Sequence, residues 1–132
     1  MTGIVLISHG KLADGMLDAA GMFFDELRQI KSVSLQNGEK ADVFQHRMEA
    51  ALDEVDSGDG VVVLADMLGG MPSNRAASLL YRNIEVICGI NLPLLLEILS
   101  IRNDDGKQID TEQLVKYAQQ SIKKLNKQSA AY

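Results

Sequence analysis

Two apolar runs, each stopping at a residue with chemical capability, constrain this chain more than anything else in it. The first is Gly3-Ile4-Val5-Leu6-Ile7-Ser8-His9-Gly10; the second, Gly60-Val61-Val62-Val63-Leu64-Ala65, ends in Asp66 and is followed by Gly69-Gly70. Strands buried on both faces of a parallel sheet read as unbroken apolar stretches rather than as alternation. In an open α/β sheet, ligands and chemistry sit just beyond the carboxyl ends of the strands. Both runs therefore deliver a polar side chain, one an imidazole and one a carboxylate, to the functional edge.

Helical segments separate the strands. Leu12, Met16, Ala19, Ala20, Phe23, Phe24 and Leu27 form a stripe that predicts a first helix over Leu12–Leu27. Ile30–Leu35 alternates polar and apolar residues as an edge strand does, and Asn37-Gly38 turns the chain. Ala41–Val55 carries Val43, Phe44, Met48, Ala51, Leu52 and Val55 on one face. After Val61–Ala65, Pro72 suits a first helical turn and Ser73–Arg82 continues it. A fourth strand, Ile84–Cys88, and a fourth helix, Leu92–Ile101, follow. Asn103-Asp104-Asp105-Gly106 reads as a turn, and Asp110-Thr111 with Glu112 caps a last helix reaching Ile122 or Leu125. Residues 1–126 form one domain in this reading, and Lys127–Tyr132 is a frayed tail.

Strictly alternating strands and helices joined by short loops imply right-handed crossovers and a single doubly wound, three-layer α/β domain. The alternating strand belongs at an edge and the two fully apolar ones at the centre, which gives a parallel sheet of order 2-1-3-4. Strands one and three are then neighbours across the topological switch point. Adjacent strands lie about 4.8 Å apart, so His9 and Asp66 can share a hydrogen bond.

Composition excludes several classes of function. Across 132 residues the net charge is −5, and no lysine/arginine block offers a nucleic-acid or anionic-membrane footprint. The single cysteine, Cys88, lies in an apolar segment as a core residue would, so neither a disulfide framework nor a cysteine-based metal site is expected. Apolar runs are too short to span a bilayer and the start lacks a signal-peptide pattern, so a soluble cytoplasmic protein without cofactor or metal is expected.

A carboxylate accepting from Nδ1–H fixes the imidazole tautomer and turns the Nε2 lone pair outward. It also stabilises the positive ring formed when Nε2 bonds to an electrophile. Gly10, Gly69 and Gly70 allow close backbone approach, and nearby helix N-termini favour a phosphate-sized anion. Histidine nucleophile, orienting aspartate and anion cradle together describe phosphoryl transfer through phosphohistidine, which needs positioning more than it needs a metal. A blander reading competes at each position. His9 could be a surface histidine, although its place at a strand end beside glycine favours function. Asp66 could merely cap a turn, and Gly69-Gly70 could be turn chemistry alone. His46, among Gln45, Arg47 and Glu49, reads as solvated. Met16, Met22, Met48, Met67 and Met71 read as core and rim packing rather than a cofactor box.

Ser8-His9-Gly10 with Ala13 and Gly15, the stretch Asp66-Met67-Leu68-Gly69-Gly70-Met71-Pro72-Ser73-Asn74, and Gly89-Ile90-Asn91-Leu92-Pro93 are colinear motifs. Together they resemble the mannose-family enzyme IIA of the bacterial phosphoenolpyruvate:sugar phosphotransferase system, over essentially the whole chain. The resemblance implies that His9 accepts a phosphoryl group from the phosphocarrier protein HPr and passes it to an enzyme IIB component. Membrane sugar permease components would be served indirectly. It further implies that Asp66 orients His9, and that the protein is a homodimer with a small antiparallel strand near the C-terminus exchanged between subunits. Met67 and Met71 stand where the family often carries hydroxyl residues. This leaves Ser8, Gly10, Gly69, Gly70, Ser73 and Asn74 as candidates for contact with the phosphoryl group. Met67, Leu68, Met71, Leu92 and Leu94, on loops at the same edge, are candidates for docking the two partners, with core packing an equal alternative for Leu92 and Leu94.

Three rivals are weighed against this. A receiver-type switch would need an acidic pair after strand one, where Ser8-His9-Gly10 stands. A flavodoxin-like binder would need a hydroxyl-rich loop where Lys11-Leu12-Ala13 stands. The phosphotransferase subunit of a dihydroxyacetone kinase remains within the family; the wording of the first and third motifs favours the sugar transporter.

Overall fold

The computed structural model describes residues 1–104 and 107–127. Four strands, β1 (Gly3–His9), β2 (Ile30–Leu35), β3 (Val61–Ala65) and β4 (Ile84–Cys88), form one sheet in the order β2-β1-β3-β4. All three pairings are parallel, with Ile4 opposite both Ile30 and Val62, and His9 opposite Leu35. The expected three-layer architecture and strand order are therefore found.

The helices are α1 (Leu12–Ala20), α2 (Ala41–Val55), α3 (Met71–Ala77), α4 (Leu92–Arg102) and α5 (Thr111–Gln120), with a short 3-10 turn at Leu125–Lys127. Side chains alternate across each strand, so β1 feeds two separate cores. Ile4 and Leu6 pack with Ala13 of α1, Leu95 and Ile98 of α4 and Leu114 of α5. Val5 and Ile7 pack on the other face with Phe44, Met48 and Leu52 of α2 and with Ala76 of α3. The chain leaves β1 towards the first face and β3 towards the second. That divergence opens the switch-point crevice between the C-terminal ends of the two central strands.

The apolar stripe overstates the first helix. α1 stops at Ala20, and the Met22 and Phe23 N–H groups turn back to the carbonyls of Ala19 and Ala20. Residues 21–29 must bring the chain back so that Ile30 can enter the sheet opposite Ile4. Phe24 and Leu27 still reach the core, but from irregular backbone, whereas Phe23 is left exposed. The third helix includes Pro72 in its first turn as expected, starting at Met71, but it ends at Ala77 rather than Arg82, where the Ser78 hydroxyl bonds the Arg75 carbonyl. α5 ends at Gln120 in the same manner, with the Ser121 hydroxyl donating to the Ala118 carbonyl. Its start is as expected, the Asp110 carboxylate accepting from the Glu112 and Gln113 N–H groups. Part of the turn at 103–106 and most of the tail at 127–132 lie outside the described residues, as Lys127 closes the 3-10 turn. Among the described residues, no helix is long and apolar enough to cross a membrane.

Candidate functional site

His9 closes β1 and Asp66 follows β3 directly, so the switch point brings them together. The backbone N–H of His9 donates to Asp66 Oδ2 at 3.0 Å, and ring Nδ1 stands 2.7 Å from the same oxygen. Asp66 Oδ1 accepts from the Met67 N–H at 2.9 Å. An ionised carboxylate only accepts hydrogen bonds, so Nδ1 carries the proton and Nε2 of the neutral ring keeps its lone pair. The Asp66 side chain is 7% exposed and that of His9 47%. The carboxylate is thus buried while the imidazole is half-exposed to solvent.

Burial alone would push the Asp66 carboxyl above its ordinary value. The donors from the His9 backbone and ring, the positive charge the ring can carry, and the Met67 N–H outweigh burial and hold it below that value. The carboxylate is accordingly charged throughout the neutral and mildly acidic range. A lowered folded value stabilises the fold above the ordinary aspartate range, and this contribution is lost as pH falls through the folded value. On the phosphohistidine expectation, Asp66→Asn should reduce phosphotransfer by one to two decades, from loss of a charge-assisted hydrogen bond contributing about 1.5–3 kcal/mol. Its stability deficit relative to wild type should be constant above about pH 4 and shrink below it, as acid unfolding curves of the two proteins would read. Unchanged transfer in Asp66→Asn would make Asp66 a purely structural residue.

Gly70 completes the support of the ring. A Cβ built at this position would lie 2.5 Å from His9 Cε1 and 3.2 Å from Nε2, so only a glycine lets the backbone stand this close. Its φ of −83° is open to any residue, so space rather than backbone freedom demands glycine here. Gly69 is the opposite case, with φ +88° and open space around its Cα.

The remaining candidates divide. The Ser8 hydroxyl is buried, donates to the Gly10 carbonyl and accepts from the Ala13 N–H at the start of α1. It holds the loop after β1. The Gly10 N–H is likewise committed, to the Leu35 carbonyl at 2.8 Å. The Ser73 hydroxyl donates to the Gly70 carbonyl at 3.1 Å, and the exposed Asn74 side chain reaches the Gly69 carbonyl at 3.4 Å. Met67 (53% exposed) and Leu68 (81%) stand out at the rim beside His9. Met71 is half-buried at the start of α3, inside the helix rather than on a loop, and Leu92 is half-buried against the core. Leu94 is a core residue, 1% exposed, and its candidacy for docking is overturned.

Two residues at the site escaped the sequence reading. Leu12 fitted the buried stripe of the first helix, yet it is 53% exposed at the rim, three residues after His9. Its position in the first turn of α1, next to the glycine turn, was the available signal. Cys88 packs against the second core as expected but is only half-buried, at the end of β4. Burial and the Asp66 charge push its thiol above the ordinary range, against a contact with the Ser73 hydroxyl. His46 is exposed on α2, as expected.

The sequence family described as "PTS system fructose IIA component" matches residues 3–127. The fructose-specific EIIA component of the Bacillus subtilis phosphotransferase system is 32% identical over 104 residues, 77% of this chain and 71% of that protein. The mannose-specific EIIAB component of Escherichia coli is 35% identical over 104 residues, again 77% of this chain but only 32% of that longer protein. Among solved structures, the PTS IIA protein associated with the fucose utilization operon of Streptococcus pneumoniae superposes with a TM-score of 0.85 at 34% identity. It covers 95% of this chain and 93% of its own.

Proposed function

The chain belongs to the PTS system fructose IIA component family, and from that premise we propose that it is a phosphocarrier that accepts a phosphoryl group on Nε2 of His9 from phospho-HPr and passes it to an enzyme IIB component. The observation that carries this reading is the single bond between Nδ1 and the buried Asp66 carboxylate, which leaves Nε2 as the ring's one nucleophilic atom. In the forward step the Nε2 lone pair attacks the phosphorus of a donor phosphohistidine. A new N–P bond forms, the donor's N–P bond breaks, and its electron pair stays on the departing imidazole. His9 becomes a positively charged phosphoimidazole that retains the proton on Nδ1, and Asp66 balances that charge across 2.7 Å. Running the same step towards IIB returns His9 to its neutral form, so no group needs recharging between turnovers.

Handing a phosphoryl group between proteins requires a rim rather than a deep pocket. The exposed Leu12, Met67 and Leu68 around a half-exposed His9 suit partners of differing shape. Leu68→Glu should raise the KM for phospho-HPr about tenfold with an unchanged melting temperature, in line with an interface residue contributing 1–2 kcal/mol. Equal KM values in the two proteins would remove Leu68 from the docking surface. The sugar itself never meets this component, so the site carries no sugar preference.

A cytoplasmic homodimer belongs to the same proposal. β4 is an edge strand, and Ile122 (80% exposed) and Leu125 (71% exposed) follow α5 with their apolar surface uncovered. Exchange of this segment between subunits, as an added antiparallel strand, would cover both. A relay experiment tests the carrier role: radiolabelled phosphoenolpyruvate, enzyme I and HPr should label the chain, and addition of a mannose-family IIB component should drain that label. Label that enters but never leaves for IIB would contradict a carrier.

A further inference from the structure

We propose that Ser73 is a positioning residue, holding Gly70 against the His9 ring so that Nε2 keeps its aim. The inference rests on the phosphohistidine reading and assigns Ser73 a task other than contact with the phosphoryl group. Ser73 is 4% exposed in the first turn of α3. The hydroxyl has one proton and gives it to the Gly70 carbonyl at 3.1 Å, which also receives the Asn74 N–H at 2.9 Å. That proton is therefore unavailable to a phosphoryl oxygen. Gly70 in turn stands behind the ring, close enough that a Cβ would meet Cε1 at 2.5 Å.

The geometry explains why such a brace has work to perform. Asp66 holds the ring at Nδ1, and rotation about the His9 Cβ–Cγ bond can still carry the ring off that contact. The Cε1 side is where pivoting would swing Nε2 off line, and Gly70 blocks it. Fixing the Gly70 peptide through the buried Ser73 side chain keeps the backbone behind the ring in place, where errors of about 1 Å cost large factors in rate. The half-buried Cys88 thiol is a further neighbour of the Ser73 hydroxyl.

The test compares the full-length wild type with Ser73→Ala and Ser73→Cys, the second keeping the side-chain volume with a weak donor. Two readouts are combined: steady-state transfer from phospho-HPr, and nitrogen NMR of the unphosphorylated His9 ring. In both variants kcat should fall about tenfold with the KM for phospho-HPr unchanged, because Ser73 is buried and touches no partner. The wild-type ring should show the Nδ1–H tautomer alone, and the variants a mixture. Wild-type kcat in Ser73→Cys, or an unmixed tautomer in a variant with lowered kcat, would overturn the proposal. A faster loss of phosphate from the phosphorylated variants, with the free ring unaltered, would also overturn it by making Ser73 a phosphoryl contact. Absence of any label on the wild type would instead defeat the carrier reading, independently of Ser73.

Discussion

Incubated with phosphoenolpyruvate, enzyme I and HPr, the wild-type chain should gain the mass of one phosphoryl group, and His9→Ala should gain none. The expectation follows from the chain's supply of nucleophilic nitrogens. Of its two histidines, His46 is exposed on α2. Only His9 has a buried carboxylate to absorb the charge that phosphorylation creates. A phosphoramidate bond hydrolyses readily in acid and survives base, so the added mass should disappear after brief acid treatment. His46→Ala should load like wild type. Because His9 is half-exposed and its ring fills no core, His9→Ala should lower the melting temperature by only a few degrees, from loss of the bond to Asp66, and still melt cooperatively, separating loss of chemistry from loss of fold.

Gly70→Ala should come close to that loss while leaving the nucleophile in place. The added methyl would lie 2.5 Å from Cε1, inside van der Waals contact, so either the ring or the Gly69-Gly70 turn must move. If the ring moves, the 2.7 Å bond to Asp66 is stretched and Nε2 turns away from the approaching phosphorus. Displacement by about 1 Å is enough for a hundredfold loss in rate. Backbone strain contributes little, since φ at this position is −83°. Rates should therefore fall about a hundredfold with modest loss of stability, read by single-turnover labelling beside thermal melts. Transfer by Gly70→Ala within a few-fold of wild type would show that the ring does not depend on this contact.

What the sequence revealed about this molecule follows from which forces act locally. Burial on both faces writes β1 and β3 as unbroken apolar runs, and their position at the centre of the sheet follows from that alone. The pairing of His9 with Asp66, 57 residues apart, was accessible because strand order fixes which strand ends are neighbours. The capping of α5 by Asp110 was legible for a similar reason, since the signal lies within three residues. By contrast, the end of α1 is set by where β2 must enter the sheet, a distant requirement that leaves the stripe through Leu27 intact. The ends of α3 and α5 coincide with Ser78 and Ser121, whose hydroxyls turn onto carbonyls three residues back. At the site, residue type pointed to Ser8 and Ser73 as hydroxyls near a phosphoryl group. Their single protons are given to the carbonyls of Gly10 and Gly70, which only coordinates reveal. Gly70 itself was expected to allow a close approach of backbone; that the approaching group is the His9 ring emerged from the fold.

The central claim is that a phosphoryl group resides on Nε2 of His9 while Nδ1 keeps its proton for Asp66. Phosphorus–nitrogen NMR of the loaded, nitrogen-labelled protein reads this directly, through the coupling between phosphorus and the ring nitrogen that bears it. The account predicts a coupling to Nε2 of His9, with the Nδ1–H proton still present. Coupling to Nδ1, or a phosphoryl group on His46, would contradict it.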